Sequence, residues 1–132
     1  MKVTAKRASG LVHQVTNGRH TIISDEPPEV GGTDRGPRPT ELLAMSLATC
    51  TAITVEMYAD RKGIELPHLE VDVEYEFDPR SGRSDYHLVL KLPRGLTEEQ
   101  VQRLRVIAGK CPVHRMLLGN AEIADRVQIH DA

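Results

Sequence analysis

The chain has 132 residues, a formal net charge of −2, 39% hydrophobic and 27% charged residues. That is the size of one domain with a real core, and the balance excludes a disordered tail or a disulfide-stapled miniprotein. No basic cluster points to nucleic acid or a membrane surface as partner. Aromatics are limited to Tyr58, Tyr75, Tyr86 and Phe77, with no Trp, so Leu, Ile, Val, Met and Ala must build the core.

The basic start, Met1 to Arg7, is followed by no apolar h-region and does not read as a signal peptide. The cytoplasm is the expected location, where thiols are normally reduced. The first 25 residues read as short strands: Leu11–Val15 and His20–Ile23 flank Asn17-Gly18, a strong hairpin signal. Residues 25–39 hold three Gly and four Pro, a composition that predicts a loop without regular structure. Ordered loops of that length are often functional.

A helix is predicted from about Pro39 to Arg61. Pro39 suits the first turn, Glu41 the positive N-terminal end, and Gly63 the stop. Between Leu42 and Ala59 its one charge is Glu56, and apolar residues lie on every side. The length fits a membrane span, but Ser46, Thr49, Thr51 and Thr54 interrupt the run and no second span accompanies it. A helix apolar all round needs burial all round. One chain of this size offers little material for that, so an intimate homodimer is expected.

Residues 67–78 alternate strictly, Leu69, Val71, Val73, Tyr75 and Phe77 against Glu70, Asp72, Glu74 and Glu76, which predicts a half-buried strand. A turn over 78–83 returns the chain through Tyr86, Leu88, Leu90 and Leu92. Thr97-Glu98-Glu99-Gln100 is a capping box opening a second helix with the stripe Val101, Leu104, Ile107, Ala108, ending near Lys110. A short helical turn after Pro112 and a last strand over 121–130, with Ile123, Val127 and Ile129, complete the order β-β-β-α-β-β-α-β. This is an α+β fold with antiparallel sheets around a long central helix, one domain over 1–132.

Two cysteines carry the chemistry. Cys50 lies mid-helix, where a free cysteine is most often a small core residue; Ser46, Thr49 and Thr51 are the hydroxyls able to bond a thiolate there, or to bond helix carbonyls instead. Cys111 precedes Pro112 and reads as an N-cap, at the positive end of a helix and beside Lys110, His114 and Arg115. Each of those influences lowers a thiol pKa, so local chemistry makes Cys111 the more acidic thiol. Cys111-Pro-Val-His114 has the spacing of half a zinc knuckle, but Cys50 has no partner three residues away. Neither a metal nor a cofactor is expected.

Three motifs together resemble the OsmC/Ohr family: Asp25 to Leu43, the run Leu47-Ala-Thr-Cys-Thr-Ala-Ile-Thr-Val-Glu-Met-Tyr58, and Cys111-Pro-Val-His114. Their order also matches, so the resemblance covers almost the whole chain. It implies an intertwined homodimer with a two-cysteine site at its interface, reducing organic hydroperoxides or hydrogen peroxide. Cys50 falls on the peroxide-attacking cysteine and Cys111 on the resolving one, recycled by an external dithiol, often a protein-bound lipoyl group. The resemblance also implies an arginine near the N-terminus that holds the thiolate and a glutamate ten residues before the cysteine that orients it. Here that position is Thr40, with Glu41 adjacent, and Arg7 is the nearest arginine candidate, with Arg19 and Arg38 as alternatives. The departure leaves a second reading open: a non-enzymatic dimer holding an apolar ligand or an electrophile, its cysteines acting as sensor or trap.

Overall fold

The computed structural model describes residues 1–130; the last two positions of the domain expected over 1–132 lie outside them. The chain begins with an antiparallel sheet, β1 (Thr4–Ser9), β2 (Val12–Thr16) and β3 (Thr21–Ser24), in that spatial order. Asn17 makes the predicted hairpin turn: its Oδ1 accepts from the backbone N–H of Arg19 (3.0 Å) and His20 (2.8 Å). Such a side chain mimics a backbone turn.

The long loop contains one element that its composition did not suggest, a 3-10 turn at Pro28–Val30. Two prolines pre-set its φ. Asp25 organises the rest. Its Oδ1 accepts from the N–H of Glu26 (2.8 Å), and its Oδ2 from the N–H of Thr33 (3.2 Å), the hydroxyl of Thr33 (2.7 Å) and the N–H of Arg35 (3.1 Å). Burial alone would push this carboxyl up; the donated hydrogen bonds outweigh it and bring it down to about 2. The loop closes so tightly that a Cβ on Gly32 would run into the Glu26 carbonyl, which leaves no room for any other residue.

The central helix α1 (Pro39–Lys62) starts and stops as expected. The Arg38 N–H donates to Glu41 Oε1 (3.1 Å) at its N-terminus, and Gly63, at φ 68°, ends it in the left-handed conformation glycine tolerates. An antiparallel hairpin follows, β4 (Glu70–Phe77) with β5 (Ser84–Lys91), in register from Glu70–Lys91 to Phe77–Ser84. The helix α2 (Glu98–Ala108) opens with the capping box: Thr97 Oγ1 accepts from Gln100 N–H (3.1 Å) and Gln100 Oε1 from Thr97 N–H (2.9 Å). The short helix α3 (Pro112–Leu117) comes next.

The core sits between α1, α2 and the hairpin. Val55, Ala59, Leu66 and Leu104 are its buried members, with Tyr58, Leu69, Leu90 and Leu92 packed against them. α1 is long and apolar enough to cross a membrane, but its Ala44, Leu47, Thr51, Val55 and Ala59 side is buried against the rest of the chain. Its other side is open: Met45, Ile53 and Met57 are each more than half exposed.

The strand expected over 121–130 does not form. Ile123, Val127 and Ile129 are 95%, 89% and 87% exposed. Alternation supplies a face to bury, but a strand also needs a neighbour for its N–H and C=O groups, and this segment has none among the described residues.

Candidate functional site

Cys50 lies in the middle of α1 and is half-buried; Cys111 is the N-cap of α3 and fully buried, and both are free thiols. α1 and α3 pack on each other, which brings Cys50 close enough to act on the Cys111 thiol. Cys111 Sγ also accepts from the His114 backbone N–H at 3.5 Å, the N-cap interaction that its place before Pro112 predicted. Thr51, the next residue along α1, is 1% exposed and faces the same sulfur.

The expectation that Cys111 is the more acidic thiol is overturned in its premise. Burial pushes the Cys111 thiol up, the neighbouring Cys50 adds to the rise, and the His114 N–H and Thr51 hydroxyl offset only part of it. Desolvation of a charged sulfur is larger than the pull of one cap hydrogen bond at the end of a six-residue helix. Sequence alone places a cap but not the packing over it. The resulting pair is asymmetric: Cys50 is partly exposed and Cys111 is fully buried.

The two supporting residues named from the sequence are engaged elsewhere within the chain. Arg7 is exposed on β1, where its Nε donates to the Gly10 carbonyl at 2.9 Å. Glu41 caps α1, about 13 Å along the helix axis from Cys50. Of the alternatives, Arg38 has a carboxylate partner, with Nε 3.0 Å from Glu26 Oε1, both partly buried. The pair is not aligned as a hydrogen bond and leaves that oxygen without a donor. Neither this pair nor the Asp25 hub was singled out from the sequence. The signal available was an aspartate opening a Pro/Gly-rich loop that ends at a helix N-cap.

Two cavities are lined by sequence neighbours of the cysteines, Thr51 in one and His114 in the other, and by neither cysteine itself. One of about 400 Å³ is bordered by Thr51, Val71, Leu88, Leu90 and Arg105. The other, of about 200 Å³, is bordered by Leu47, Tyr86, Asp85 and His114. A further cavity of about 420 Å³ lies under the N-terminal sheet, against Leu11, Val15 and Leu42, and touches neither cysteine. Among the described residues no group of three or more His, Cys, Asp or Glu is placed to hold a metal ion.

The family of OsmC-like proteins matches residues 32–124, and the chain belongs to it. No curated protein is significantly similar to it. Solved structures share the fold. One is a Psychrobacter arcticus 273-4 protein described as an osmotic stress induced and detoxification response protein (TM-score 0.79, 21% identity, 88% of this chain and 87% of that one). Another is an organic hydroperoxide resistance protein OsmC of Legionella pneumophila (TM-score 0.61, 23% identity, 91% of each chain). A third is the organic hydroperoxide resistance protein OhrB of Bacillus subtilis (TM-score 0.60, 26% identity, 90% of each chain). These likenesses agree with an α+β fold of antiparallel sheets about a long central helix.

Proposed function

We propose that this protein is a cytoplasmic thiol-dependent peroxide reductase, protective against oxidative stress, with Cys50 as the attacking and Cys111 as the resolving thiol. The observation that carries the reading is the asymmetric pair: a partly exposed cysteine on α1 beside a buried one on α3. Membership in the OsmC-like family and the likeness to proteins named for organic hydroperoxide resistance support it.

The Cys50 thiolate attacks one oxygen of the peroxide O–O bond, giving a sulfenic acid and releasing an alcohol, or water from hydrogen peroxide. The Cys111 thiolate then attacks the Cys50 sulfur, and the sulfenic hydroxyl leaves as water once protonated. An external dithiol, such as a lipoyl group, restores both thiols by exchange and is itself oxidised to a disulfide.

The working form is a homodimer. The open apolar side of α1 is the surface it would bury. Arg7 and Glu41 would support the Cys50 thiolate only across that dimer, because within one chain each is engaged elsewhere. That same engagement favours a second reading, a ligand-binding dimer whose apolar interface traps an electrophile.

Steady-state consumption of cumene hydroperoxide with dihydrolipoamide separates the two. The reductase reading predicts many turnovers per chain, abolished by Cys50→Ser. It also predicts about one turnover in Cys111→Ser, followed by over-oxidation of Cys50 to the sulfinic acid. A single stoichiometric reaction in the unaltered protein would favour the trap.

A further inference from the structure

We propose that the Thr51 hydroxyl is a positioning group for the resolving thiol, held in reserve for the Cys111 thiolate. The inference rests on the reading of Cys111 as the resolving cysteine and goes beyond it by assigning what makes that buried sulfur able to react.

Ser46, Thr49, Thr51 and Thr54 all lie within about one turn of Cys50 on α1, and they behave differently. Ser46 Oγ donates to the Leu43 carbonyl at 2.8 Å and Thr49 Oγ1 to the Met45 carbonyl at 2.9 Å, the usual return of a helical hydroxyl to its own backbone. Thr51 Oγ1 does neither: it is buried and has no hydrogen-bond partner. A buried hydroxyl left unsatisfied calls for an explanation. The group it faces is the Cys111 sulfur, itself 0% exposed. A neutral thiol is a weak acceptor and leaves the hydroxyl idle. A thiolate is a charged acceptor, and the hydroxyl is already beside it.

The chemistry needs such a donor. To close the disulfide, Cys111 must lose its proton inside the fold, where burial and the adjacent Cys50 both oppose the charge. The His114 N–H supplies one hydrogen bond to that sulfur, and Thr51 supplies a second when the charge forms. Around this point the titratable and charged groups are Cys50 from α1, Arg105 of α2, which borders the cavity beside Thr51, His114 of α3, and Asp85 and Tyr86 of β5, which share a cavity with His114; β4 and β5 otherwise present Val71, Leu88 and Leu90.

The test compares the unaltered protein with Thr51→Val, which keeps the volume, and Thr51→Ser, which keeps the hydroxyl. Reduced protein is mixed with one equivalent of cumene hydroperoxide across a pH series and quenched. Sulfenic acid at Cys50 and the Cys50–Cys111 disulfide are then counted by mass spectrometry. The proposal predicts that Thr51→Val moves the midpoint of disulfide closure up by about one pH unit. That slows closure about threefold near neutral pH, because a more basic thiolate is also a better nucleophile and recovers about half the loss on a logarithmic scale. At high pH, where the Cys111 thiol is fully ionised in both proteins, the order reverses and Thr51→Val closes about threefold faster, while Thr51→Ser restores the original midpoint. Equal slowing at every pH with an unmoved midpoint would reduce Thr51 to a packing residue and overturn the proposal. A parallel titration of Cys111 by its thiolate absorbance, in Cys50→Ser with and without Thr51→Val, decides the same point without peroxide. Failure of Cys50 to oxidise at all would therefore sink the reductase reading alone, and an unmoved Cys111 midpoint would sink the role of Thr51 alone.

Discussion

The two halves of this chain are held together by different forces. From α1 onward, the helices and the β4–β5 hairpin share an apolar core in which Val55, Ala59 and Leu104 are completely buried. The N-terminal sheet has a single buried apolar side chain, Val12, and all six residues of β1 are exposed. What orders that half is polar: the hydrogen bonds around Asp25, together with Ser24 Oγ donating to the Pro37 carbonyl at 2.8 Å. The second half carries its own hydrophobic driving force. The first has geometry without much burial, and marginal burial leaves a sheet dependent on what it packs against.

This contrast can be broken from both sides. The largest effect is expected at the open face of α1. Ile53→Lys should weaken self-association about a hundredfold or more, since a charge replaces a central apolar contact, and sedimentation should show a dimer becoming a monomer. An unaltered mass would mean that this face is not what completes the molecule. Next, Leu104→Ala should cost about 3 kcal/mol in urea unfolding. Val12→Ala, its counterpart in the N-terminal sheet, should cost roughly 1.5 kcal/mol. Equal losses would erase the distinction between the halves.

The smallest effect is a pH dependence. The Asp25 carboxyl stands at about 2 in the fold, against about 3.9 in an unfolded chain. Its folded pKa is depressed, so its contribution is complete above about pH 4 and disappears as the pH falls through about 2. Hydrogen exchange at the amides of Glu26, Thr33 and Arg35 should accelerate over that window relative to amides of α2. Asp25→Asn should flatten the dependence and leave the α2 amides protected.

Most of the fold was legible because its signals are local. Asn17-Gly18, the capping box from Thr97, the alternation over 67–78 and the Pro39–Gly63 frame each specify structure within a few residues, and each forms, the strand over the shorter span Glu70–Phe77. The last strand was misread because Ile123, Val127 and Ile129 show periodicity, but pairing depends on a neighbour that periodicity does not supply. The site was legible to a similar depth. The cap at Cys111 could be read from Pro112, whereas its pKa depends on burial beneath α1 and on Cys50 and Thr51, 61 and 60 positions earlier in the numbering. The Glu26–Arg38 pair was hidden for the same reason, since the eleven intervening residues of loop fold back to bring it together.

The central claim is that Cys50 and Cys111 form one redox pair. Free-thiol titration of the reduced protein, before and after one equivalent of cumene hydroperoxide and with mass spectrometry of the product, tests it most directly. The account predicts loss of both thiols within seconds and a Cys50–Cys111 disulfide inside one chain. Survival of both thiols through minutes of excess peroxide would contradict it.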